Sequence, residues 1–113
     1  MQIIDEAGRF TSPSAPDPTH YVEHMRSTDL SIGTYSIPVG AADDQTPHTE
    51  DEVYVVTAGR ATIVAGGDDA AVGPGDTIFV PAGEEHRFVD VVEDLSLLVF
   101  FAPPYESRSR VLP

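Results

Sequence analysis

The chain has 113 residues, 19 acidic against 6 basic, for a net charge of −13. That length fits one domain able to bury its own core, and the charge argues against nucleic acid and anionic membrane, which present phosphates in bulk. The absence of cysteine excludes a disulfide framework, a zinc ribbon or a thiol nucleophile.

No run approaches the roughly 18 apolar residues of a membrane-spanning helix, and Met1–Glu6 lacks the basic-then-apolar order of a leader. A cytoplasmic protein without membrane contact is expected. All six basic residues are arginine, and a lysine-free, carboxylate-rich surface is one that stays hydrated in concentrated salt.

Residues 1–20 are expected to form an irregular arm, because Pro13, Pro16 and Pro18 exclude helix and central strand. Residues 21–113 are expected to form the single domain. From Tyr21 onward, short runs rich in Val, Ile, Thr, Tyr and Phe alternate with Gly, Pro and Asp clusters. Strands are predicted over 21–26, 29–37, 52–57, 60–65, 77–81, 86–91 and 95–102. Residues 65–69 read as a hairpin loop, with Asp68 and Asp69 in it, and 73–76 as a tight turn. No segment shows a 3.6-residue stripe and no repeat is visible. Short strands without intervening helices imply an all-β sandwich or barrel.

The stretch from Gly40 to Gly59 contains Thr46-Pro47-His48-Thr49-Glu50-Asp51-Glu52. Had His48 and Glu52 shared one straight strand, they would lie roughly 13 Å apart along it, too far to share one ion. The chain must therefore bend at Thr49, Glu50 and Asp51, with Glu50 and Asp51 expected to be solvated turn residues. A second stretch runs from Gly75 through Pro81, Gly83 and His86 to Asp90, and its turn at 81–83 lets His86 approach from another strand.

These two stretches resemble the paired motifs of the cupin superfamily. The first has the glycine, histidine, glutamate and glycine at Gly40, His48, Glu52 and Gly59, but Thr46 stands where the family has the first histidine of a His-x-His pair. The second matches at Gly75, Pro81, Gly83 and His86, with Asp90 for the usual asparagine. The resemblance covers about residues 30 to 103. It implies a double-stranded β-helix, the cupin jelly-roll barrel, and one divalent metal held by His48, Glu52 and His86. Such a donor set suits Fe, Mn, Ni, Cu or Zn.

The missing histidine leaves either an open position for substrate or O2, or a weakened site, with Gln45 or Thr46 as candidates for a fourth ligand. Strand parity with Glu52 and His86 points Tyr54 and Phe88 into the barrel, and Phe100 and Tyr35 complete the expected substrate pocket. His20 and His24 are set aside as ordinary strand histidines. The functional expectation is a metal-dependent enzyme acting on a small molecule, with dioxygenase chemistry ahead of isomerase or lyase chemistry. The alternative is a non-catalytic small-molecule-binding cupin. Family members that resemble this chain commonly pair, so a homodimer is expected, with the arm covering a partner barrel.

Overall fold

A computed structural model describes residues 1–107 except Asp44 and Thr46. Among these residues there is no helix, and six strands form one antiparallel sheet: β1 (His20–Arg26), β2 (Ser31–Ile37), β3 (Asp51–Ala65), β4 (Asp68–Val72), β5 (Thr77–Val80) and β6 (His86–Ala102). The strand order is β1-β2-β6-β3-β4, with β5 also paired to β3. The long strands β3 and β6 pair along most of their length, Asp51 opposite Ala102 at one end and Ala65 opposite His86 at the other. Register shifts between Val56 and Thr62 bend the pair, as bulges do, so the sheet wraps around a single core. That core includes Ile37, Tyr54, Val56, Phe88, Leu95, Leu97, Val99 and Phe101.

Two expected breaks are absent. The segments 52–57 and 60–65 are one strand, because Gly59 adopts φ 88° within a bulge instead of making a turn. A Cβ at Gly59 would lie 2.2 Å from the Asp94 carbonyl oxygen, so only glycine allows β6 to pass this closely. Likewise 86–91 and 95–102 are one strand that runs through Asp90 at φ 49°. Aspartate tolerates that left-handed conformation as asparagine does, which explains its presence at the end of the second motif.

One strand was not predicted. Asp68 and Asp69 are not loop residues but open β4, paired with Ala65 and Val64, and the turn is confined to Gly66 and Gly67, both at positive φ. Asp-Asp-Ala-Ala has poor strand propensity, and β4 forms because the two-glycine turn folds it back onto β3.

The arm touches its own barrel. The Gly8 amide donates to Thr34 Oγ1 at 2.8 Å, the Gly8 carbonyl accepts from Ser96 Oγ at 2.6 Å, and the Thr11 amide donates to Ser36 Oγ at 3.0 Å. These bonds seat the arm on the outer surface of β2 and β6 of the same chain.

Candidate metal centre

The bend anticipated between His48 and Glu52 is made at Thr49 and Glu50, and β3 starts at Asp51. His48 thus stands at the end of a loop, Glu52 is the second residue of β3, and His86 is the first of β6. Two hydrogen bonds clamp the two motif loops together: the Gly83 amide donates to the His48 carbonyl at 2.7 Å, and the Ala82 amide donates to Asp51 Oδ1 at 2.9 Å. Gly83, at φ 81°, makes the turn that brings its amide round. Asp51 is therefore an exposed clamp. Glu50, expected in solvent, is 2 % exposed, and its Oε1 accepts from the Glu106 amide.

The three predicted ligands converge. One donor atom from each of His48, Glu52 and His86 lies within 4.8 Å of the others. His86 Nε2 is 3.0 Å from Glu52 Oε1, and His48 Nε2 is 3.9 Å from the same oxygen. Yet Glu52 Oε1, buried with its residue 2 % exposed, has no hydrogen-bond partner. The 3.0 Å approach of His86 becomes a charge-assisted pair only when Nε2 carries a proton, and with the neutral ring Glu52 Oε1 faces no donor.

His86 Nδ1 lies 2.9 Å from the Glu84 carbonyl, so Nδ1 carries the proton and, in the neutral ring, the Nε2 lone pair faces the carboxylate. Two acceptors that close require a proton or a cation between them. Neighbouring donor atoms bonded to one ion at about 2.1 Å stand roughly 3.0–3.4 Å apart; the His86–Glu52 separation of 3.0 Å falls in that range and the His48–Glu52 separation of 3.9 Å is wider. The residues present fit a divalent metal.

The electrostatics agree. Burial lowers the proton affinity of His48, more than Glu52 raises it, which leaves its ring neutral as a ligand must be. At His86 burial also works downward, but Glu52 and the Glu84 carbonyl outweigh it and the net shift is upward. Tyr54, fully buried, is pushed well above its ordinary value by desolvation and then by Glu52. Its hydroxyl keeps its proton, 3.0 Å from Gln45 Oε1 and 3.1 Å from His86 Nε2.

A cavity of about 280 Å³ opens beside these groups, with Gln45, His48 and Glu52 as its polar end. Tyr21, Tyr35, Phe101 and Tyr105 with Val99 form the rest of its wall. Of the expected pocket residues only Tyr35 lines it, and its hydroxyl donates to Asp43 Oδ1 at 2.7 Å. Tyr54 and Phe88 face inward but are core residues, 0 % and 1 % exposed, beneath the cavity.

Phe100 is not in the wall either. Glu52 pairs with Phe101 across the ladder, so Phe101 shares the inward face while Phe100, opposite Val53, points out. Tyr21, Asp43, Phe101 and Tyr105 were missed. Tyr21 was within reach of the sequence, since it pairs with Tyr35 across the β1–β2 hairpin. Thr46 lies outside the described residues, and neither His20 nor His24 belongs to the cluster.

The chain is an all-β barrel that gathers two histidines and a glutamate, side chains able to ligate a metal, at one end of an aromatic-walled cavity. The cupin-domain family model matches residues 33–101, and the chain belongs to that family. An uncharacterized protein of Streptomyces coelicolor is 43 % identical over 84 residues, 74 % of this chain and 80 % of that protein. The acireductone dioxygenase of Geobacillus thermodenitrificans is 35 % identical over 78 residues, 57 % of this chain but only 43 % of the enzyme. An RmlC-like cupin from Shewanella frigidimarina has the same fold, with a TM-score of 0.75 at 17 % identity over 99 % of this chain and 97 % of that one. Among the described residues no helix is long and apolar enough to cross a membrane.

Proposed function

We propose that the protein is a metal-dependent cupin that binds one divalent ion through His48, Glu52 and His86 and acts on a small molecule held in the adjoining cavity. The observation that carries this reading is the buried Glu52 Oε1, without a hydrogen-bond partner, facing two imidazole nitrogens. Fe, Mn, Ni, Cu and Zn all suit such donors. The ion, when bound, would supply Lewis-acid or redox chemistry at its open positions.

The chain's own groups do the rest. The Glu84 carbonyl holds His86 in the ligating tautomer. Tyr54 keeps its proton and serves as a donor rather than a base, and the aromatic side chains give the cavity an apolar wall. The small cavity suits a small ligand, below the roughly 300 Å³ at which drug-sized pockets begin.

Dioxygenase chemistry leads, supported by the partial likeness to an acireductone dioxygenase, with isomerase or lyase chemistry behind it. A non-catalytic binding role is the second reading, favoured by a cavity lining whose His, Asp and Glu side chains are Glu52 and His48 alone, both already assigned to the metal. The residues from 21 onward act as the single domain, in a reducing cytoplasm that suits a cysteine-free chain. A homodimer is supported by the outward row Ile32, Phe100, Val53 and Phe79, the last 61 % exposed.

Elemental analysis of the purified protein beside a His48→Ala, His86→Ala double variant tests the reading. About one divalent metal per chain, lost in the variant, supports it, and turnover that depends on added metal separates enzyme from binder. Absence of metal in both after reconstitution would leave only the metal-free binding role.

A further inference from the structure

We infer that Gln45 supplies the ligand that the missing histidine would have given, through an amide oxygen aimed at the centre by the buried carboxylate of Asp43. The inference rests on the metal reading above and concerns how this chain repairs its own departure from the family motif.

Asp43 is 4 % exposed and has three donors around it. Its Oδ1 accepts from the Tyr35 hydroxyl at 2.7 Å, and its Oδ2 accepts from the Phe88 amide at 2.8 Å and from Gln45 Nε2 at 2.7 Å. The Phe88 bond fixes Asp43 to β6 two residues from His86, so the carboxylate is positioned by the strand that carries a ligand. A carboxylate accepts only, so the Gln45 amide must present its nitrogen to Asp43 and its oxygen the other way. The opposite orientation would set two oxygens against each other at 2.7 Å.

With that orientation Gln45 Oε1 lies 3.2 Å from His48 Nε2 and accepts from the Tyr54 hydroxyl at 3.0 Å. The 3.2 Å spacing is that of neighbouring ligands on one ion, which for bonds of about 2.1 Å is roughly 3.0–3.4 Å. Gln45 Oε1 thus joins the His48 side of the cluster formed by His48 Nε2, Glu52 Oε1 and His86 Nε2, and the assigned donor set is two nitrogens and two oxygens. Nothing in the motif spacing requires a glutamine here. The carboxylate behind it has the part that a hydrogen-bonding partner has behind a ligating histidine.

An amide oxygen in place of an imidazole makes the donor set harder, which favours Mn(II) or Fe(II) relative to Zn(II). The test is titration of metal-free protein with Mn(II) alone and with Zn(II) alone, for the wild type and for Gln45→Leu, Gln45→His and Asp43→Asn, each checked by its melting curve. Gln45→Leu is expected to weaken Mn(II) binding by about tenfold or more, and Asp43→Asn by a similar factor through lost aim. Gln45→His is expected to move the preference toward Zn(II).

A folded Gln45→Leu protein that binds Mn(II) as tightly as the wild type would overturn the assignment while leaving the three-residue centre intact. Failure of the wild type to bind either ion would overturn the metal reading itself, and this inference with it. Should Asp43→Asn prove unfolded, the two Gln45 variants decide alone.

Discussion

At Gly59 the backbone stands at φ 88° with the Asp94 carbonyl where a Cβ would be, so one added methyl meets both left-handed strain and a backbone clash. Gly59→Ala is expected to cost about 1–3 kcal/mol for the strained conformation and more for the displaced strand, read as a lower denaturation midpoint. His86 sets a pH dependence of a different kind. Its proton affinity in the fold is raised above the usual 6.5 despite burial, through Glu52 and the Glu84 carbonyl. The stabilisation that this proton gives the metal-free fold is complete below pH 6.5 and is lost as pH rises through the raised value. A metal must displace the same proton, so its affinity should increase with pH over that window. Calorimetric titration at pH 6 and pH 8 is expected to show weaker binding at pH 6, with protons released on binding. Equal affinity at both would mean that His86 is not a ligand.

The site depends on two loops held in register, His48–Asp51 and Pro81–Glu84, and the Asp51 side chain is one of the two clamps between them. Asp51→Ala is expected to lower stability by about 1 kcal/mol, the net worth of one hydrogen bond, and to weaken metal binding without removing a ligand. An unchanged metal affinity would show that the His48–Gly83 bond alone aligns the loops. The three clustered residues were legible in the sequence because His48, Glu52 and His86 stand at fixed spacings from Gly59, Pro81 and Gly83, and β1, β2 and β5 because their runs are short, rich in β-branched or aromatic residues, and bounded. What failed to show were the features set by pairing. Residues 58–59 and 92–94 read as breaks, yet both lie inside continuous strands, which bend at the Gly59 bulge and at the left-handed Asp90. Those irregularities hide the register of β6, which puts Phe101 rather than the expected Phe100 on the face that Glu52 shares. Asp43 and Tyr105 carry no motif, and their places follow only from how the loops close over the barrel.

Across the whole molecule, 19 carboxylates repel one another with few cations to offset them, and the Arg–Glu pairs, Arg9–Glu6 and Arg26–Glu23, lie within single segments at the surface. Salt that screens this repulsion should raise the melting temperature from about 10 mM to physiological ionic strength and above, and a salt-indifferent curve would show that the charge is spread too widely to matter. A net negative charge favours divalent cations over anions near the surface, and the cluster of His, Asp or Glu side chains able to hold one among the described residues is His48, Glu52 and His86 at the cavity. The most direct measurement is anomalous X-ray diffraction from crystals of the metal-reconstituted protein. One strong peak per chain bounded by His48 Nε2, Glu52 Oε1 and His86 Nε2 is the predicted result, and a peak elsewhere, or none at this position in a metal-loaded crystal, would contradict the account.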